Sequence, residues 1–488
     1  MDAAAARDFT MDRRAFLGAG AAAVALASAG CAGLRPRTSA ELLLGDAPGR
    51  PNVLWIFADD ISPQLACYGE PLVRTPNLDR LARDGVVFEN AFTTAPVCSA
   101  SRSAIMTGMH QTSIGAHHHR SNRPPHGPPM ALLQGVRPMT HLLRDAGYHT
   151  SLLNVDARAE GLGPIRPDAQ SWCLPKQDYN FVTDEPVFQG SDWRQRPSGA
   201  PFYSEVTFFE PHRIFLPYQD ASLLPPHPVD PANVALPPYY ADTDTARRDF
   251  AHYLDDIMVL DHKVGQLLER LERDGLAEST LVIFMGDNGR PHLRGKQWLY
   301  DPGIHVPMIM RWPRGLRAGE RVAAPVSAID ATATVLSLAG ARPARLEGRP
   351  LLGPGAASRD HIVAARDRCD ETRDRIRCVR TARHKYIRNF HPELPWDQPN
   401  EYKETQYPML PEMRALHAQG KLTPAQARFF APTKPPEELY DLATDRHEIH
   451  NLSNDPAHAG ELRRLRGLLD AWIEETGDRG AIPEPTPA

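Results

Sequence analysis

Asn52-Val-Leu-Trp-Ile-Phe-Ala58, followed by Asp59-Asp60, decides the fold class. Six of these seven residues are apolar, without alternation, which is the pattern of a strand buried on both faces of a helix-covered sheet. The pattern returns at Thr280-Leu-Val-Ile-Phe-Met285 and again runs into polar residues, Gly286-Asp287-Asn288-Gly289. Ligand sites in open α/β sheets lie beyond the carboxyl ends of the strands, so these polar residues are the first candidates for a site. Two adjacent carboxylates repel each other unless a cation lies between them, and a hard metal ion resolves that repulsion at Asp59 and Asp60. A pair capping the next segment, Ile61-Ser62-Pro63, is the structural alternative. Asp287 and Asn288 add two oxygen-bearing side chains, a set suited to Ca²⁺ or Mg²⁺ and not to a metal that seeks thiolate or imidazole. Taken alone, a Gly-Asp-Asn-Gly turn is weak evidence, because these are common turn formers.

Between the two strands stands Ala95-Pro-Val-Cys-Ser-Ala-Ser-Arg-Ser-Ala-Ile-Met-Thr-Gly108, which reads as a turn entering a helix. Cys98 would sit where helix N–H groups and the dipole favour negative charge. Arg102 lies one helical turn further on the same face. The plain alternative is an inert packed thiol and an arginine paired with a carboxylate. The full string changes that balance. Cys98-Ser-Ala-Ser-Arg102 with a trailing Thr107-Gly108 resembles the signature of type I sulfatases, with Ala100 where proline is commoner. The resemblance implies that a maturase oxidises Cys98 to formylglycine, whose hydrated aldehyde is the nucleophile. The chemistry accounts for the modification: a thiol would be left as a stable thiosulfate-like adduct, whereas a gem-diol expels sulfate by collapsing to the aldehyde.

The same resemblance implies roles elsewhere. Asp59, Asp60, Asp287 and Asn288, with residue 98, would hold Ca²⁺, with Mg²⁺ as the alternative. Arg290-Pro-His-Leu-Arg-Gly-Lys296 resembles the loop that brings a lysine onto the substrate sulfate, and Lys296 is a flexible point charge fit for a tetrahedral oxyanion. His292 in that stretch is expected to touch substrate. Glu210-Pro-His-Arg213 follows a strand and carries His212, expected to contact the sulfate ester and protonate the leaving oxygen. His117-His-His-Arg120 cannot turn three consecutive rings onto one ion; His117 is expected at the pocket rim, with a bland surface as the alternative.

The chain also departs from the family. Val155 and Ala157 stand where a Gly-Lys-x-His element would place a sulfate-binding lysine and a histidine. Lys176-Gln-Asp-Tyr-Asn-Phe181 resembles a string of a bacterial branch similar to heparan N-sulfatases and arylsulfatases. Lys176 is therefore the expected replacement, with residues 155–175 as an insertion and Asp178 near the absent histidine. Arg366, in Arg366-Asp-Arg, is expected to line a sulfated-sugar pocket, a solvated charge run being the alternative. Glu438-Leu-Tyr-Asp-Leu and Asn451-Leu resemble the family's closing motif.

The 488 residues suffice for one large domain and a smaller one. The expected division is an export signal and linker over 1–45, a catalytic domain over 46–355, a C-terminal subdomain over 356–480 and a tail over 481–488. The implied fold is α/β and alkaline-phosphatase-like: a large mixed sheet flanked by helices, with a smaller antiparallel C-terminal sheet. A net charge of −5 makes no case for nucleic acid, and 47 prolines beside 42% hydrophobic residues imply long loops on a globular scaffold. Asp12-Arg-Arg-Ala-Phe-Leu17 and the Ala-rich run to Ala29 look like a twin-arginine export signal, which implies a periplasmic or envelope-anchored protein. Ser28-Ala-Gly-Cys31 resembles a lipoprotein cleavage box, so Cys31 is a candidate lipid anchor and a plain cleaved signal the alternative. Six scattered cysteines imply no disulfide framework. The expected activity is hydrolysis of sulfate esters or sulfamates on sulfated glycans. Its rivals are a phosphonate or phosphate ester hydrolase using the same nucleophile logic, and an impaired sulfated-glycan binder motivated by the missing lysine.

Overall fold

The computed structural model of the chain describes residues 49–120, 130–157, 159–163, 172–216, 220 and 223–482. The export signal, Cys31 and residues 483–488 of the tail lie outside them.

The opening apolar run is a strand, β1 (Asn52–Ala58), at the centre of an eight-stranded mixed sheet. Its side chains alternate between two cores, Leu54 and Ile56 to one and Val53, Trp55 and Phe57 to the other, which is why the run shows no polar alternation. Parallel to it on one side lies β4 (Phe202–Phe208), itself paired in parallel with β3 (His149–Leu152). On the other side lies β5 (Thr280–Gly286), also parallel. The sheet then turns antiparallel through β6 (His305–Arg311), which pairs with β2 (Val86–Phe92). Short β7 (Glu320–Val322) and β8 (Val326–Ser327) pair in parallel with β2.

Helices cover both faces. On the Leu54 side pack α1 (Pro76–Arg83) and the long α4 (Asp244–Arg273), which contributes Leu254, Ile257, Val264 and Leu267 at helical spacing. Thr243 starts α4 by accepting a hydrogen bond from the Ala246 N–H at 3.1 Å. On the Trp55 side pack α2 (Cys98–Thr107), α3 (Met139–Asp145) and α5 (Ala328–Ala339).

Beyond residue 355 a four-stranded antiparallel sheet forms in the order β12 (Glu437–Asp441), β11 (His384–Asn389), β10 (Ile376–Thr381), β9 (His361–Arg366). The final helix α6 (Ala459–Thr476) lays Leu462, Leu465, Leu469 and Trp472 on one face of it. Ile362, Ala364, Cys378, Ile387 and Tyr440 on the other face join the core under β1. Both sheets belong to one compact unit. Among the described residues Cys67, Cys98, Cys173, Cys369 and Cys378 form no disulfide. No helix among the described residues is long and apolar enough to cross a membrane.

Candidate active site

Three parallel strands end level. Ala58 of β1 stands opposite Phe208 of β4 and Gly286 of β5. The ladder runs one step further, from the Asp59 N–H to the Phe208 carbonyl at 3.1 Å and from the Asp287 N–H to the Ala58 carbonyl at 3.2 Å. Asp59, Asp60, Asp287, Asn288 and the 209–213 segment therefore leave one edge of the sheet together. Asp60 adopts φ +57°, a left-handed conformation that costs a non-glycine residue, and its N–H donates to Asp287 Oδ1 at 3.1 Å.

Helix α2 brings Cys98 and Arg102 to that edge. Every residue of α2 is buried, so its small Ser and Ala residues let neighbouring chain approach from all sides. Its hydroxyls turn inward, Ser103 donating to the Ser99 carbonyl at 2.6 Å and Thr107 to that of Ser103 at 2.8 Å. The helix stops at Gly108, φ +66°, where a Cβ would fall 2.4 Å from Leu346 Cδ1. Arg102 donates to Asp59 at 2.7 Å, to Asp287 at 2.9 Å and to the Thr207 hydroxyl at 3.1 Å. One guanidinium thus locks the ends of all three strands. Cys98 Sγ lies 3.8 Å from Asp60 Oδ1.

Two lysines complete the site from opposite sides. Lys176 Nζ is 2.8 Å from Asp59 Oδ2, 3.7 Å from Asp287 and 3.8 Å from Asp178. Lys296 Nζ is 2.8 Å from Asp60 Oδ2. The loop carrying Lys296 is folded tightly on itself: Gly289 donates to the Gly303 carbonyl at 2.9 Å, and a Cβ at Gly303 would lie 2.1 Å from the Trp298 carbonyl oxygen. Gln297 N–H ties the loop to the Pro96 carbonyl, two residues before Cys98, at 2.8 Å. His212 Nε2 is 3.6 Å from Asp60 Oδ2, while its Nδ1 contacts the Arg213 carbonyl and so carries the proton.

The charges nearly balance, and that sets the protonation states. Burial would raise Asp59, but Lys176 and Arg102 beside it hold its carboxyl well below the usual range. Lys296 does the same for Asp60. Burial and the charge of Asp59 push Asp287 up. Burial would lower Lys176 and Lys296, but the carboxylates keep both firmly cationic. Burial and Asp287 push the Cys98 thiol far above its ordinary value, so the unmodified side chain is a protonated, poor nucleophile. Burial and Lys296 lower His212 to about 4, leaving a neutral imidazole.

The donor set fits a hard cation. Asp60, Cys98 and Asp287 bring ligand atoms within 4.8 Å of one another. Asn288 donates its amide to Asp60 at 2.8 Å, yet its Oδ1 is buried with no hydrogen-bond partner. An orphaned carbonyl beside crowded carboxylates is the oxygen a bound Ca²⁺ or Mg²⁺ would satisfy.

Asp59, Asp60, Cys98, Arg102, Lys176, His212, Asp287, Asn288 and Lys296 thus come together from six separate stretches of chain. Asp178 is buried next to Lys176, and His117 is buried with its ring 4.2 Å from that of His118. Two expected substrate contacts are corrected. His292 has no exposed surface; it packs among Phe215, Phe250 and Tyr253, with Nε2 3.4 Å from Asp249. Arg366 likewise points inward, pairing with buried Asp374 at 3.0 Å and lying over the Trp298 ring. Sequence reasoning missed Glu205, Thr207 and Tyr402. A carboxylate inside the apolar β4 run was the available signal for Glu205, which lies 3.8 Å from Arg102 and is pushed up to about 7, chiefly by burial. Tyr402 had no local signal.

The Sulfatase family model matches residues 51–341, and that of the N-sulphoglucosamine sulphohydrolase C-terminal region matches residues 289–406. An ulvan-active sulfatase of Formosa agariphila is 33% identical over 482 residues, covering 90% of this chain and 77% of that protein. Human N-sulphoglucosamine sulphohydrolase is 27% identical, with 90% and 93% covered. Among solved structures, one in complex with its substrate D-glucosamine-2-N,6-O-disulfate superposes with a TM-score of 0.62 at 16% identity, covering 89% of this chain and 99% of that one. Phosphonate monoester hydrolase of Agrobacterium radiobacter gives 0.61 at 19%, covering 88% and 96%. At these identities the structural likeness is one of fold: the alkaline-phosphatase-like arrangement of a large mixed sheet and a small antiparallel one.

Proposed function

Because this chain belongs to the sulfatase family, we propose that it hydrolyses sulfate esters or sulfamates of sulfated glycans through a formylglycine made from Cys98. The carrying observation is the pair of lysines. Lys176 occupies the side of Asp59 and Lys296 the side of Asp60, so the cation missing at Val155 is supplied from another stretch. That argues against the impaired-binder alternative. The glycan class is supported by the relatives, one named for ulvan and one for N-sulphoglucosamine.

Formylglycine, when present, supplies a hydrated aldehyde that can release sulfate by returning to its carbonyl. Ca²⁺ held by Asp59, Asp60, Asp287 and Asn288 would supply positive charge against the oxyanion. The chain's own residues do the rest. Arg102 fixes the carboxylates by its three contacts. Lys176 and Lys296 exchange carboxylate partners for sulfate oxygens; Asp59 and Asp60 keep them cationic at rest, and the bound anion does so after the exchange. His212 is neutral at rest, and an anion bound beside it favours the imidazolium, which then has a proton at Nε2 for the leaving oxygen. We further propose export by the twin-arginine route to the periplasm or cell envelope, with Cys31 as the lipid-anchor candidate, on the strength of residues 12–31.

The test is the mass of the tryptic peptide containing Cys98, from protein co-expressed with a maturase, paired with turnover of an aryl sulfate and an aryl phosphonate. Thiol-to-aldehyde conversion lowers the mass by about 18 Da. A persisting thiol, or phosphonate turnover exceeding sulfate turnover, overturns the reading.

A further inference from the structure

Two buried polar atoms, on the residue after Lys296 and on the ring that borders its Nζ, have no hydrogen-bond partner among the described residues. Tyr402 belongs to the short helix Glu401–Gln406, far from the other site residues in sequence. Its ring centroid is 5.1 Å from Lys296 Nζ and 5.9 Å from the His212 ring, so it borders the Asp60 side of the site. The side chain is half-buried, yet its hydroxyl is buried without a hydrogen-bond partner. Buried tyrosine hydroxyls ordinarily find one. Burial keeps this phenol protonated, hence a donor.

Gln297 is the second case. Its Nε2 donates to Asp370 at 3.1 Å and approaches Asn400 Oδ1 at 3.5 Å, which fixes the amide and leaves Oε1 as a buried acceptor with no partner. Its backbone is held at φ +77°, and Asp370, which also binds His119 at 2.8 Å, is held at φ +50°. Left-handed non-glycine residues persist where surrounding structure enforces them, and they gather at ligand clamps.

A donor and an acceptor together define the chemistry. The sulfate cannot satisfy Gln297 Oε1, because its oxygens only accept, and the Asp370 carboxylate behind it opposes a second anion. A neutral hydroxyl both donates and accepts, so it suits the pair. We propose that Tyr402 is a substrate-contacting residue whose hydroxyl donates to a saccharide hydroxyl neighbouring the sulfated position, with Gln297 Oε1 accepting from it. The C-terminal segment then takes part in selecting the glycan. This rests on the sulfatase reading above.

Tyr402→Phe keeps the ring beside Lys296 and removes only the donor. On a panel of N- and O-sulfated monosaccharides its kcat/KM falls about tenfold further than on 4-nitrophenyl sulfate, which has no neighbouring hydroxyl. Tyr402→Leu removes the ring too and lowers both. Equal effects of Tyr402→Phe on both substrates, no effect on either, or a wild type that hydrolyses the aryl sulfate but none of the panel, each overturns the proposal. Absence of aryl-sulfate turnover in wild-type protein carrying the aldehyde sinks the sulfatase reading instead.

Discussion

Asp59 receives two cations, Arg102 on one oxygen and Lys176 on the other, and only Lys176 is free to leave. Arg102 has two further hydrogen bonds, to Asp287 and Thr207, to keep it in place; Lys176 has a partly exposed side chain and flexible methylenes. Lys176→Ala is accordingly expected to reduce kcat/KM on sulfate substrates by about 100- to 1,000-fold, the usual cost of deleting a preorganised oxyanion donor. Steady-state kinetics beside a melting curve checks this, the curve separating lost chemistry from the destabilisation that an under-compensated Asp59 brings. The residues legible in sequence share one property: they sit where a strand ends or a helix begins. Asp59, Asp60, Asp287, Asn288 and Cys98 are placed by local structure, and their motifs carried that information. Lys176 was legible only as a replacement for something missing. His292 and Arg366 were misread because residue type does not say which way a loop turns its side chain. Tyr402 depends on contacts across a hundred residues and more, for which one sequence holds no local pattern, and the lone carboxylate in the β4 run was the single trace of Glu205.

At the scale of elements, the contact between α1 and α4 carries a pH signature. Asp261 of α4 accepts from the backbone of Leu78 at 2.8 Å and of Asn77 at 3.3 Å, covering the open N-terminus of α1. Burial nevertheless raises its carboxyl to about 6, the hydrogen bonds offsetting only part of that cost. A carboxyl raised on folding binds its proton more tightly in the native state, so stability is full below the unfolded pKa and falls as pH rises through the folded one. The loss amounts to about 3 kcal/mol by neutral pH. Asp261→Asn should be the less stable form near pH 4, where it gives up an acceptor without relieving any charge. By pH 7 the difference should shift in its favour by that amount, as thermal melts at the two pH values would show. The Lys296 loop offers a steric counterpart. A methyl at Gly303 meets the Trp298 and Gly295 carbonyl oxygens at 2.1 and 2.4 Å, and backbone cannot yield cheaply. Gly303→Ala is expected to depress activity more than about tenfold and to destabilise by 1–3 kcal/mol at the order-of-magnitude level. Activity retained in a folded variant would show that the loop tolerates displacement.

Across the whole molecule, the small sheet braces the large one at the site. Lys385 of β11 pairs with Asp301 at 2.5 Å and with Glu448 at 2.9 Å, and Glu448 accepts from the Asp301 N–H at 2.8 Å. These contacts clamp the end of the Lys296 loop from residues beyond 380. Lys385→Met leaves two acidic groups under-compensated in the interior, expected to cost about 3–5 kcal/mol and visible as a lower melting temperature with reduced kcat. Arg380 also lies 3.2 Å from Asp301, and an unchanged melting temperature would show that it suffices to hold that carboxylate. The burial of α2 has a different kind of consequence, one of timing. Cys98 is 3% exposed and its helix has no solvent face, so in the finished structure no second enzyme can close around that side chain. If Cys98 is converted to formylglycine as proposed, the conversion belongs to the interval when the polypeptide is still open, before β1, β4 and β5 align beneath it. On that reading chemical completion precedes structural completion, and a molecule that folds early keeps its thiol for as long as it stays folded.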